Sequence, residues 1–220
     1  MVEVAQEVAA IQREVGTGTI PAGEGKRVTL RRTYNASIED VWDALTSPER
    51  IGRWFLPISG DFRVGGAYQF EGNAGGKILA CEKPNRLLAT WVYGSEDPSA
   101  ISEVEIRLTA AGDESTIFEM NHTAVVPDEM WDMFGPGAVG VGWDMGLLGL
   151  SMHLSSGSEP ATPAEKEAWQ VSGEGREFAQ LSSAAWGDAS RAAGVAEQTV
   201  AANVAATTEF YAPSAATPEG

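Results

Sequence analysis

The sequence predicts an α+β fold: a curved antiparallel β-sheet wrapped around a long helix near residues 138–155, with a helical pair appended at the C-terminus. Three observations predict it. Ser37 and Asp40 form an S-x-x-D start signal, in which side-chain oxygens satisfy amides that have no intrahelical partner. Short alternating segments separated by turn residues then follow one another, as in a meander of hairpins. Last comes a long helical segment carrying Gly140, Gly142, Gly146 and Gly149.

Residues 1–25 read as an N-terminal helical arm, because Val4, Val8, Ile11 and Val15 fall at helical spacing. Residues 26–34 alternate Val28, Leu30, Arg32 and Tyr34 against Thr29, Arg31 and Thr33, a strand with one mostly apolar face. After the Ser37 cap, Ile38, Val41, Trp42 and Leu45 make one apolar helical stripe. Ser47-Pro48 repeats the start signal, with proline at N1 where no N–H is missed.

Segments 67–71, 77–82, 86–93, 101–109 and 115–123 are the remaining strands, separated by Gly65-Gly66, Gly72-Asn73, Pro84-Asn85, residues 94–98 and Gly112-Asp113. The long helical segment opens at Asp128-Glu129, where negative charge suits the helix dipole, and breaks at Gly135-Pro136-Gly137. Its four internal glycines cost about 2–4 kcal/mol relative to alanine. Either close packing against the sheet or room for a ligand offsets that cost.

Residues 157–173 read as a hinge, opening with GSEPATPA. Residues 174–211 carry the helical pair, with Phe178, Leu181, Ala185 and Ala189 on one stripe and Val200, Val204 and Tyr211 on the other. These stripes are too thin for an independent core, so the pair is expected to dock on the domain near Trp131 and Phe134, or on a second copy. Residues 212–220 read as a disordered tail.

The segment from Leu30 to Trp91 resembles a known family. A strand ending Leu30-Arg31-Arg32-Thr33-Tyr34 precedes Ala36, Val41-Trp42-Asp43-Ala44-Leu45-Thr46, Pro48-Glu49, Ile51 and Trp54. Gly65-Gly66, Gly75-Gly76-Lys77-Ile78 and Pro84-x-x-Leu87-Leu88-Ala89-Thr90-Trp91 follow. This pattern is similar to that of the START-like helix-grip superfamily (SRPBCC), in the branch related to the activator of the heat-shock-protein-90 ATPase. The resemblance covers residues 26–156 and implies a helix-grip domain there. It also implies that Trp54, Phe55, Trp91, Trp131, Phe134 and Trp143 converge under the long helix. With Tyr68, Phe70, Phe118, Met120, His122 and Gly146 they are the expected ligand-binding residues.

Composition sets limits. The chain has 220 residues, 31 acidic against 15 basic, and a net charge of −16. Such a surface repels phosphate backbones and anionic lipid, so neither nucleic acid binding nor membrane insertion is expected. A single cysteine, Cys81, excludes an internal disulfide framework. The N-terminus carries Glu3, Glu7, Arg13 and Glu14 instead of a signal peptide's basic start and apolar block, so a cytoplasmic location is expected.

Polar candidates are few. There is no H-x-x-x-H, C-x-x-C, nucleophile elbow or P-loop, so no metal, no cofactor and no catalytic residue is assigned. Gly135-x-Gly137-x-x-Gly140 imitates a dinucleotide fingerprint but follows a helix, not a strand. Cys81 is expected as a small buried hydrophobe. His122 shares strand parity with Phe118 and Met120, so it points inward, as a satisfied core histidine or as a group facing a ligand. Asp132 and Asp144 are expected on solvated helix faces.

The function these readings favour is binding of a small hydrophobic or aromatic, lipid-like or polyketide-like molecule in an internal cavity, by a monomer or homodimer. One alternative is a cyclase- or hydrolase-type enzyme using His122 as acid/base. Another is a co-chaperone or regulatory interaction protein.

Overall fold

The structure is a computed structural model of the chain and describes residues 3–94, 101–156 and 162–213. Eight antiparallel strands form one sheet. In chain order they are β1 (Gln12–Ile20), β2 (Gly23–Tyr34), β3 (Ile58–Gly60), β4 (Ala67–Phe70), β5 (Gly75–Glu82), β6 (Arg86–Trp91), β7 (Ser102–Gly112) and β8 (Ser115–Ala124). Their spatial order is β1-β2-β8-β7-β6-β5-β4-β3, so the chain turns back only once, when β8 returns beside β2. The helices are α1 (Val4–Ala9), α2 (Ile38–Thr46), α3 (Pro48–Trp54), α4 (Asp128–Phe134), α5 (Gly137–Ser156), α6 (Pro163–Gln170), α7 (Gly173–Ala192) and α8 (Glu197–Tyr211). The sheet curves around α5, and α7 and α8 pack on the other side of that helix. The α+β helix-grip architecture is the one the sequence predicts.

Local chemistry explains the frame. Ser37 accepts the amide of Asp40 at 3.3 Å and so starts α2, whose Val41, Trp42, Ala44 and Leu45 are buried. The Asp40 carboxylate does not close the box reciprocally; it accepts from Arg50 instead. Ser47 makes no side-chain cap on α3, which begins on Pro48 alone. On β2, Val28, Leu30, Arg32 and Tyr34 are all buried, as their alternation requires. Gly135, at φ +55°, separates α4 from α5 as expected.

Two expected boundaries are corrected. The N-terminal arm is helical only over Val4–Ala9; residues 12–20 are β1, paired along its whole length with β2. Val15, Gly16, Thr17, Gly18 and Thr19 favour an extended backbone over a helix, and the neighbouring strand supplies the hydrogen bonds. The expected hinge contains α6, started by a capping box between Thr162 and Glu165. Residues 157–161 of that hinge, and 214–220 of the expected tail, lie outside the described residues.

Helices α7 and α8 pack against each other and against α5. Phe178 joins Val4, Val8 and Leu148 in a small core beside α5. On α8, Asn203 donates to the Asp132 carbonyl at 2.6 Å, and Tyr211 donates to the Ala138 carbonyl at 2.6 Å.

Candidate functional site

Between α5, α2–α3 and the concave face of the sheet lies an apolar cavity of about 160 Å³. Trp54, Phe55, Tyr68, Phe70, Trp91, Phe118, Met120, Trp143 and Gly146 line it, nine of the expected residues in one place. A chain of ring contacts forms one wall: Phe55 meets Phe70 at 5.0 Å, Phe70 meets Trp91 at 5.4 Å, and Trp91 meets Trp143 at 4.8 Å between centroids. Several polar tips are already used by the backbone. Tyr68 donates to the Thr90 carbonyl at 2.6 Å, and Trp54 donates to the Ala44 carbonyl at 2.9 Å. Burial raises the Tyr68 phenol well above its ordinary pKa, so it stays neutral.

Gly146 explains where the space comes from. A Cβ built there would touch only the Phe55 ring, at 3.8 Å, so the absent side chain leaves room instead of permitting a close approach. The neighbouring glycines do the reverse. A Cβ at Gly140 would lie 2.3 Å from the Trp186 ring, and one at Gly149 would lie 2.5 Å from the Trp54 carbonyl. Close approach and open space thus occur at different positions of the glycine-rich helix, and the expected packing against the sheet is corrected. The tight contacts are to α3 and α7, not to the sheet.

His122 does not line the cavity. It is buried, accepts the indole N–H of Trp143 on Nδ1 at 3.0 Å, and lies 2.8 Å from Ser102 Oγ through Nε2. Because Nδ1 accepts, Nε2 carries the proton and donates, and Ser102 passes the chain on to the Trp91 carbonyl at 2.6 Å. Burial pushes the imidazole down to about 4, so it is neutral at pH 7. The residue is a satisfied core histidine that ties the two wall tryptophans together across α5, β8, β7 and β6.

Trp131 and Phe134 also lie elsewhere than expected. They line a second, outer cavity of about 450 Å³ with Tyr93, Met130, Phe210 and Tyr211. Phe55, Trp91 and Trp143 belong to both cavities and form the partition between them.

Two polar residues are corrected as well. Cys81 is exposed, not buried, and lines the inner cavity at its mouth beside Phe62. A bulge between Ile78 and Ala80 shifts the β5 register and turns both Ile78 and Cys81 toward the cavity. Asp144 is fully buried, not solvated. Its Oδ2 accepts from Arg13 Nε at 3.0 Å, from Trp186 at 3.1 Å and from Ser182, joining α5 to β1 and α7. Burial raises the Asp144 carboxyl pKa, against the pull of Arg13 and the two neutral donors. Asp132 is exposed as expected.

Sequence reasoning missed Leu45, Ile51, Ile58, Leu87, Ala89, Val104, Ile106 and Leu147 of the inner lining. The alternation of Leu87, Ala89 and Trp91, and of Val104 and Ile106, carried the signal for the sheet side. It also missed Lys166 of α6, which donates to the Phe55 carbonyl at 2.7 Å and steadies the partition from outside. Among the described residues no group of three or more His, Cys, Asp and Glu could hold a metal ion, and no helix is long and apolar enough to cross a membrane.

The family model described as Activator of Hsp90 ATPase homolog 1-like protein matches residues 35–154. Among solved structures, the chain is similar to CalU16 from Micromonospora echinospora. The crystal structure of CalU16 is 40% identical, with 78% of this chain and 98% of that one covered at a TM-score of 0.58. Its solution NMR structure is 37% identical, with 83% and 96% covered at a TM-score of 0.66. Protein MLL2253 from Mesorhizobium loti is 25% identical, with 60% and 98% covered at a TM-score of 0.52. No curated protein matches the chain.

Proposed function

The chain belongs to the family of activator of Hsp90 ATPase homolog 1-like proteins, and from that premise we propose that it binds a small, neutral, hydrophobic or aromatic molecule in the inner cavity. The observation that carries this reading is the position of Gly146. It faces an apolar space walled by Phe55, Phe70, Trp91 and Trp143 and open at the end where Cys81 and Phe62 lie. Evenly packed cores do not leave such space, because an unfilled void forfeits contacts on every side. A cavity near 150 Å³ lined by apolar groups accepts a molecule about the size of benzene. As it stands, the inner cavity suits a ring-sized group of the ligand.

Acid/base catalysis through His122 is disfavoured. Both ring nitrogens are engaged, the imidazole is neutral, and it does not line the cavity. The reading includes a cytoplasmic location, with which the single-cysteine composition is compatible, and a monomer or homodimer as the working form. A co-chaperone role has no comparable observation in its favour.

Cys81 supplies a direct test, since the chain's one thiol sits at the cavity mouth. Indole is expected to slow modification of Cys81 by a maleimide in proportion to its occupancy, and native mass spectrometry of freshly purified protein is expected to show a copurified small molecule. Unchanged thiol reactivity at saturating indole, together with mass spectra of the bare chain alone, would overturn the proposal.

A further inference from the structure

The outer cavity is the larger of the two, and α8 builds part of it. Phe210 packs edge-to-face on Phe134 at 5.8 Å and on Tyr211 at 5.0 Å, giving a ladder of rings along one side. Tyr93, Met130, Trp131 and Val126 complete the rim, and Tyr93, Met130 and Phe210 are 63%, 51% and 64% exposed. On a chain with a net charge of −16, none of the described residues lining this cavity carries a charged side chain. Large apolar groups held open to water around a concavity mark a binding surface, and the absence of charge selects a neutral occupant.

The partition shows how the two cavities relate. Among the described residues, Phe55, Trp91 and Trp143 are the ones common to both linings, and all three carry aromatic rings. The hydrogen-bond chain from the Trp143 indole through His122 and Ser102 ends on the Trp91 backbone carbonyl, so it holds one ring of the partition directly. The Phe55 ring is held by packing alone, against Trp54 at 5.6 Å, Phe70 at 5.0 Å and Trp91 at 6.4 Å between centroids, while its carbonyl accepts from Lys166.

We propose that the outer cavity is a second binding compartment, continuous with the first through Phe55, which takes a flat, neutral, polycyclic part of the ligand. This rests on the reading of the inner cavity as a ligand site and extends it. A ring-sized end enters beside Gly146, while a larger fused-ring body lies across Trp131, Phe134, Phe210 and Tyr211. The C-terminal pair is then a wall of the site as well as a cover on α5. Stacking is suited to this role because every conjugated ring presents a π-face to aromatic edges.

The test uses the full chain, with Nile red as a neutral fused-ring probe too large for the inner cavity and indole as the ring-sized probe. Phe210→Ala alters an exposed side chain and is expected to weaken Nile red binding about five-fold, while shifting indole protection of Cys81 much less. Gly146→Leu fills the inner space and is expected to abolish the indole protection. Thermal melts of both variants confirm that they are folded. If Phe210→Ala leaves Nile red affinity unchanged, the outer compartment is refuted and the inner reading stands. If Gly146→Leu leaves Cys81 protected by indole, the inner reading fails, and with it the continuity proposed here. Failure of the wild-type chain to bind Nile red, or light scattering that shows the groove covered by a second copy, would also overturn the inference.

Discussion

Two faces of α5 differ as sharply as any two regions of this molecule. The face toward α7 and α8 is packed to contact and carries buried charge: Gly140 against Trp186, Gly137 against Thr207, and Asp144 bound by Arg13, Ser182 and Trp186. The face toward the sheet, with Trp143, Gly146 and Leu147, borders empty apolar space. One helix thus anchors the fold on one side and leaves a void on the other. Glycine serves both ends, by allowing close approach in one place and by withholding volume in the other. The hydrophobic pattern of the helix alone does not separate these uses; only the neighbours do.

The largest effect is expected where the anchoring face is charged. Asp144→Asn removes the countercharge of Arg13, which is itself buried, and breaking a buried pair from one side costs about 3–5 kcal/mol. Urea denaturation measures it. Replacing both partners with apolar residues, as in Arg13→Met with Asp144→Leu, is expected to recover most of the loss. If Asp144→Asn costs under about 1 kcal/mol, the anchoring face does not depend on its ion pair, and the contrast between the faces is one of packing alone.

The next effect concerns the cavity face through His122. Its pKa lies at about 4 in the native protein against 6.5 ordinarily. Between those values the unfolded chain binds the extra proton and the native one does not. Stability therefore rises with pH across the window and is lost as pH falls from about 6.5 to about 4, by about 3 kcal/mol at most. His122→Gln is expected to remove that part of the pH dependence of urea stability. A variant with an unchanged profile would mean that native His122 takes up its proton near the ordinary pKa, which would restore it as a candidate acid/base group.

How far the sequence carries the site can be judged from these same residues. His122 was readable as inward-facing because strand parity with Phe118 and Met120 is a local property. Asp144 was not, since its partners come from Arg13, Ser182 and Trp186, each far along the chain, and no local pattern marks their meeting. Cys81 was misread because a bulge changes parity without leaving a reliable mark in the sequence. β1 was misread because Val4, Val8, Ile11 and Val15 also fit a helix, and the pairing with β2 that decided the matter is tertiary. The aromatic residues were recognised as a set. Their division into two compartments is tertiary: Trp131 and Phe134 of α4 line the outer cavity with Phe210 and Tyr211 of α8, far along the chain, which spacing alone does not reveal.

A smaller effect is expected from Gly140→Ala. The added methyl would fall 2.3 Å from the Trp186 ring, which is fully buried and unable to retreat. Overpacking of this kind typically costs about 1–3 kcal/mol, from which the helix-propensity gain of alanine subtracts less than about 1. A melting temperature at or above that of the wild-type chain would show that α7 can shift on α5, and that the anchoring face is looser than its contacts suggest.

The smallest effect has the opposite sign and tests the comparison most directly. Gly146→Ala places its methyl in ordinary contact with Phe55, and Gly146 has no left-handed backbone conformation to protect. Alanine in mid-helix is then worth about 0.5–1 kcal/mol over glycine, with a further small gain from contacts made in the void. The melting temperature should rise, and indole protection of Cys81 should weaken, because the same methyl that steadies the helix takes volume from the cavity. Stability and binding move in opposite directions at this position only if the space is there for a ligand. Were Gly146→Ala to destabilise the chain as Gly140→Ala does, the void would be closed in solution and both faces of α5 would be anchoring faces. A rise in stability with no loss of indole protection would place the indole elsewhere on the molecule.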